Sequence, residues 1–220
     1  MYKLAIFDFD GTLVDSAPGI IDVMRSVVLE LGLSLDVLEH WSTLIGVPLS
    51  TQIDIIVPHK ELECRQAMAS RYREIYDLKA VEVCPPFPGL QGILSRLEEA
   101  KVRIAIASSK RRALIDLVLD AHKLAQYFDI IVGSLEVVNH KPHPEPVHHI
   151  MNKLSIPVSE TVVIGDSTYD LEMARNAGVD SIGVTTGIHS RELLATIQPL
   201  HIVSALQDAL PLILNGRMTH

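Results

Sequence analysis

The chain has 220 residues, of which 48% are hydrophobic and 21% charged, enough for one large domain or for a core with a smaller insertion. A formal net charge of −8 excludes a general nucleic-acid or membrane-surface binder, so an anionic ligand would need a local positive device. The two cysteines, Cys64 and Cys84, lack metal-ligand or redox spacing and read as reduced thiols of a cytoplasmic protein. No apolar stretch is long enough to span a bilayer.

The first apolar run, Lys3 to Phe7, is consistent with a short buried parallel strand. It leads into "FDFDGTLVDS", where Asp8 and Asp10 share one face of an extended chain and place like charges side by side. Something positive must lie between them, or one must keep its proton. Ser16 then offers a helix cap and Pro18 suits a first turn. Ile20, Val23, Met24, Val27, Val28 and Leu31 recur at helical spacing until Gly32. Further helices are expected over about Leu35 to Leu44, Pro48 to Ile56 and Lys60 to Lys79, with no strand between Pro18 and Lys79.

The proline-rich "CPPFPGL", Cys84 to Leu90, changes the character of the chain. Beyond it a helix over Leu90 to Ala100 precedes the strand "VRIAIA", and a helix near Arg112 to His122 precedes "DIIVG". A helix near Pro144 to Leu154 precedes "TVVIG", and one over Tyr169 to Ala177 precedes "SIGVT". A short helix near Arg191, the strand "HIV" and a helix from Ala205 to Leu214 follow, and the tail "NGRMTH" is expected to fray. This alternation predicts an α/β fold with a Rossmann-like parallel-sheet core and a small all-helical cap inserted after the first strand. The expected boundaries are 1–14 and 85–220 for the core and 15–84 for the cap.

Open α/β sheets bind ligands outside the carboxyl ends of their strands. The residues following the apolar runs are Asp8, Asp10, Gly11 and Thr12; Ser108, Ser109 and Lys110; Lys141 in "NHKPHPEP"; and Asp166, Ser167 and Asp170. Alone, Asp-x-Asp-Gly reads as a turn, Ser108 and Ser109 as caps for the helix near Arg111, Lys141 as a solvated loop lysine and Asp170 as a first-turn acid. Their ordered occurrence behind apolar runs is what points to one site.

The four signatures "DFDGTLVDS", "IAIASSK", "HKPHPEP" and "GDSTYD" resemble those of the haloacid dehalogenase-like hydrolase superfamily, over nearly the whole chain. The helical insertion, "IGVPLS" within it and "PPFPG" at the return resemble the phosphoglycolate phosphatase-like group. Glu145 departs from the third signature, which often carries aspartate. The resemblance implies a phosphoric monoester hydrolase in which Asp8 is the nucleophile that forms an aspartyl-phosphate. Asp10 would be the acid and then the base, and Gly11, Ser108, Ser109 and Lys141 would hold the phosphoryl oxygens. Mg²⁺ would be held by Asp8, Asp166 and the backbone carbonyl of Asp10, because oxygen-only ligation suits that ion. Asp170 would orient the lysine or a metal-bound water.

The implied partner is a small phosphorylated metabolite, with no nucleic acid and no membrane; the oligomeric state is unread. A sugar phosphomutase or an inorganic pyrophosphatase on the same scaffold remains an alternative, and from another class a phospho-acceptor signalling module. The adjacent His148 and His149 would diverge on a helix, which argues against zinc at the histidine run. Trp41 is expected to anchor the cap to the core, and Arg71, Tyr72 and Arg73 default to solvated or core-facing roles.

Overall fold

The computed structural model describes residues 1–216. All six expected strands form: β1 (Leu4–Phe7), β2 (Arg103–Ala107), β3 (Ile130–Val132), β4 (Thr161–Gly165), β5 (Asp180–Val184) and β6 (His201–Val203). They make one parallel sheet in the order β3-β2-β1-β4-β5-β6. The chain winds outward from β1 to β3 and then crosses back to lay β4 on the other side of β1. That reversal opens a crevice at the carboxyl ends of β1 and β4, where loops diverge to opposite faces.

Side-chain alternation builds the two faces. Ala5 and Phe7 of β1 join one apolar cluster with Ile104, Ile106, Val162 and Ile164, while Leu4 and Ile6 join another with Ala105, Ala107 and Val163. Because both faces are covered, all four residues of β1 are buried, which is why the run carries no polar residue until Asp8. Helices α5 (Leu90–Glu99), α6 (Arg112–Ala121) and α10 (Leu206–Asn215) contribute to the first cluster, and α7 (Glu145–Leu154) and α8 (Thr168–Ala177) to the second. The short α9 (Arg191–Ala195) precedes β6. Asn215 closes the last helix, and residues 217–220 of the tail expected to fray lie outside the described residues.

Residues 18–79 hold helices and turns without a strand, as the sequence predicts. They form α1 (Ala17–Glu30), α2 (Leu35–Ser42), α3 (Leu49–Ile56) and α4 (Leu62–Lys79). Ile20, Val23, Met24, Val27 and Val28 are the buried stripe of α1, and Pro18 sits in its first turn. Ser16 occupies the N-cap position, but its hydroxyl makes no capping bond. Both ends of this helical segment leave the sheet at one place: the Asp15 amide donates to the Pro85 carbonyl at 2.8 Å, and the Phe87 amide to the Leu13 carbonyl at 3.0 Å.

Trp41, expected to anchor the cap to the core, makes its hydrogen bond and its ring contact inside the helical segment. Its indole N–H donates to Gln52 Oε1 at 2.7 Å and its ring tilts against Tyr72, so both ties knit α2 to α3 and α4. The physical reason is that a fully buried indole needs an acceptor, and Gln52, itself buried, supplies one one turn into α3. Among the described residues no helix is long and apolar enough to cross a membrane.

Candidate active site

The floor of the crevice is acidic and buried. Asp8 follows β1 directly, and its amide extends the pairing to the Ile164 carbonyl at 2.9 Å. Asp166 follows β4, and Asp170 lies in the first turn of α8. Asp8, Asp166 and Asp170 are 5%, 4% and 1% exposed, and one carboxylate oxygen from each lies within 4.8 Å of the others. Lys141, 8% exposed, donates to Asp8 Oδ1 at 2.6 Å and also to Asp170.

Local structure fixes each carboxylate. Asp170 closes a capping box: Ser167 Oγ accepts from the Asp170 amide, and Asp170 Oδ2 accepts from the Ser167 amide at 3.1 Å. Asp166 Oδ1 accepts from Thr12 Oγ1 at 2.9 Å. Its other oxygen is wedged between two glycines, since a Cβ on Gly11 would lie 2.5 Å from it and one on Gly187 only 1.7 Å. Gly11 also adopts φ +78°, a conformation that side chains resist. Glu145, the residue that departs from the family pattern, accepts from the amides of Val138 and Asn139 at 2.9 and 3.0 Å, fastening the loop that carries Lys141.

Three buried carboxylates therefore share one ammonium. Burial pushes the Asp8 carboxyl up to about 7, against the pull of Lys141 and with help from the Asp170 and Asp10 charges. Burial, with Asp8 and Asp170 close by, holds Asp166 well above the usual carboxylate range. Burial also disfavours the Lys141 charge, but Asp170 and Asp8 outweigh it and hold the ammonium above its ordinary value. The directions agree on one cause: negative charge exceeds positive charge in a buried place. An all-oxygen donor set with that excess fits a hard divalent cation.

Residues 108–111 form the opposite wall. Ser108 is buried, and its Oγ accepts from the Lys110 amide at 3.3 Å. The next three side chains all reach the helical segment. Ser109 Oγ donates to the Gly46 carbonyl at 2.7 Å, Lys110 Nζ to the Tyr76 hydroxyl at 2.5 Å, and Arg111 pairs with Asp77. Ser108 and Ser109 thus do not cap α6, whose N-cap is Arg111; Ser109 turns instead to the carbonyl opposite it. Asp10 stands apart from the acidic floor, its Oδ1 2.9 Å from Lys110 Nζ in an ion pair whose angles miss hydrogen-bond geometry. A cavity of about 230 Å³ lies between floor, wall and helices, with Asp8, Asp10, Ser108 and Gly46 in its lining.

Residues 5–184 match the model of the haloacid dehalogenase-like hydrolases. The chain belongs to that family. Its similarity to the phosphoglycolate phosphatase-like group within it also stands. It is 33% identical to the probable phosphatase IndB of Dickeya dadantii, covering 94% of this chain and 92% of that one. It is 31% identical to a phosphoglycolate phosphatase of Yersinia pseudotuberculosis, covering 94% and 91%. A crystal structure described as a predicted phosphatase from Clostridium acetobutylicum superposes with a TM-score of 0.87 at 28% identity, covering 98% of this chain and 100% of that one.

Within this hydrolase, the crevice gathers Asp8, Gly11, Lys141, Asp166 and Asp170, while Asp10, Ser108 and Ser109 stand at the cavity wall. Sequence reasoning missed several members. Thr12 was visible only as the residue after Gly11, and its bond to Asp166 spans 154 positions. Gly187 lies three residues beyond β5, behind Thr185 and Thr186, and a residue whose part is to lack a side chain gives no signal. His189, two residues on, accepts from the Thr168 amide through Nδ1 at 3.0 Å and steadies the start of α8. Lys110 was noted behind β2, but its partner Tyr76 was not. Cys84 is a free thiol 2.9 Å from the Tyr76 hydroxyl, and burial pushes it up to about 11, so it stays protonated.

Proposed function

We propose that this hydrolase is a Mg²⁺-dependent phosphomonoesterase acting on a small phosphorylated metabolite through an aspartyl-phosphate, with phosphoglycolate the first candidate substrate. The observation that carries the reading is the buried set of three carboxylates around one lysine at the crossover of the sheet. Such a set repels a dianionic ester unless its charge is offset. Asp8, Asp166 and the backbone carbonyl of Asp10 would hold the ion. When bound, Mg²⁺ would supply that offset and polarise the phosphoryl group.

The chain's own residues would do the rest. A carboxylate oxygen of Asp8 attacks phosphorus, the bond to the leaving oxygen breaks, and Asp10 gives that oxygen a proton. Asp10 then takes a proton from the water that attacks the phosphorus of the aspartyl-phosphate, releasing phosphate and restoring Asp8. Lys141 and Ser108, with backbone near Gly11 and Ser109, would hold the transferring oxygens, and Asp170 would keep the lysine aimed at Asp8. Residues 15–84 would be the cap and 1–14 with 85–220 the catalytic core, a division supported by the single place where both linkers meet. Relatives bearing the name phosphoglycolate phosphatase, similar over nine-tenths of both chains, support the choice of substrate.

The test is phosphate release across a panel of small phosphomonoesters, a bisphosphorylated sugar and pyrophosphate, with Mg²⁺ and with excess chelator, and with Asp8→Asn as control. Turnover of monoesters that needs Mg²⁺ and vanishes in Asp8→Asn is expected. Isomerised sugar phosphate without free phosphate, turnover of pyrophosphate alone, or a phosphoenzyme that lasts for minutes without multiple turnover would each overturn it.

A further inference from the structure

The cavity above the acidic floor carries charge that phosphoryl transfer does not use. Its volume, about 230 Å³, is below the roughly 300–1,000 Å³ of pockets for drug-sized ligands, and suits an ester with few atoms beyond its phosphoryl group. Three cations line it: Lys110 and Arg111 from the wall and Arg73 from α4. Lys110 is committed to Asp10 at 2.9 Å and Arg111 to Asp77 at 2.5 Å. Arg73 stands one helical turn before Asp77, and it makes no ion pair or hydrogen bond to the described residues. Arg71, nearby on the same helix, is already engaged by Glu30 at 2.6 Å and Glu74 at 3.0 Å.

The carboxylates of the lining, Asp8, Asp10 and Asp77, are each engaged by a cation, Lys141, Lys110 and Arg111, so Arg73 is the guanidinium left over at the cavity, in a chain whose net charge is −8. An ester with a neutral tail leaves that positive charge unmatched. A carboxylate tail matches it, because the planar guanidinium offers paired donors to two carboxylate oxygens. We infer that Arg73, backed by Arg111, is the specificity-determining residue that receives a carboxylate on the part of the substrate that is not transferred. The inference rests on the phosphatase reading above and narrows its substrates to small phospho-carboxylates. Asp77 opposes it, since it neutralises Arg111.

The experiment compares kcat/KM for phosphoglycolate with that for ethyl phosphate, which has a similar length and no carboxylate. The wild-type enzyme prefers phosphoglycolate. In Arg73→Met the ratio of the two values falls by about 10- to 100-fold, the range for losing a hydrogen bond to a charged group, with the loss mainly in KM. Arg73→Lys keeps part of the preference, and Asp77→Asn, which frees Arg111, raises the ratio. A merely structural role for Arg73 would lower both esters alike. The inference is overturned if wild type shows no preference, if the ratio is unmoved in Arg73→Met, or if Asp77→Asn lowers it as Arg73→Met does. A wild-type enzyme that hydrolyses neither ester, nor any other monoester, overturns the phosphatase reading and the subsite with it.

Discussion

Stripped of divalent cations, the protein should lose stability as pH rises towards neutrality and beyond, the reverse of ordinary acid denaturation. The Asp8 carboxyl sits at about 7 in the folded chain against an ordinary value of 3.8, because burial penalises its charge. Between those values the folded state holds a proton that the unfolded chain has released, so raising pH favours unfolding. The span is about 3 pH units, and at about 1.4 kcal/mol per unit Asp8 contributes at most about 4 kcal/mol. Asp166, displaced in the same direction, adds to the trend. About 2 of those units lie above pH 5, about 2.8 kcal/mol, which in a chain of this size corresponds to a Tm change of up to roughly 6–11 °C. Thermal unfolding of wild type and Asp8→Asn, both metal-free, followed from about pH 5 to pH 8.5, isolates this term because other titrating groups are common to both. The Tm of wild type should fall relative to that of Asp8→Asn as pH rises, and saturating Mg²⁺ should flatten the difference. Parallel profiles for the two proteins without metal would refute the argument that negative charge on the floor is uncompensated.

Two further outcomes follow from single contacts. Asp10→Ala should lose far more single-turnover rate, by about 10²–10⁴, with alkyl phosphates than with nitrophenyl phosphate, whose leaving oxygen needs no proton. Equal losses, with no burst of nitrophenol, would remove Asp10 as the acid. Gly187→Ala drives a methyl to within 1.7 Å of Asp166 Oδ2 and should raise the Mg²⁺ concentration needed for half-maximal activity at least tenfold, whereas Gly92→Ala, with nothing within 4 Å, should leave it unchanged. Unchanged Mg²⁺ titration in Gly187→Ala would mean that the Asp166 side chain does not contribute to binding the ion.

The strands and the acidic floor were legible because both are written locally. An apolar run followed at once by an acid or a hydroxyl marks a buried strand with its carboxyl end at a site, and β1, β2 and β4 all carry that pattern. Helix ends fell within one to three residues, since fraying and capping blur the last turn. The short 3₁₀ turns at Ala125–Tyr127 and Val158–Glu160 went unread, because three residues carry no period. The contacts that went unread share one cause: the partners of Ser109, Lys110 and Trp41, which are Gly46, Tyr76 and Gln52, are chosen by packing at a distance. Gly187 is the extreme case: its role is to lack a side chain where Asp166 passes, and a missing group leaves no mark on periodicity.

The hydrogen bond from Asp15 to Pro85 has a consequence for how such an enzyme can change over time. The helical segment between Asp15 and Pro85 departs from and returns to nearly the same point, where the backbone closes on itself by a hydrogen bond. Exchanging that segment would alter Gly46, Arg73 and Tyr76, and with them what the cavity admits, while Asp8, Lys141 and Asp166 kept their strands and their register. On the proposed division, the chain has a part that can be traded and a part that must be inherited whole, and the backbone closes between them through two hydrogen bonds, Asp15 to Pro85 at 2.8 Å and Phe87 to Leu13 at 3.0 Å.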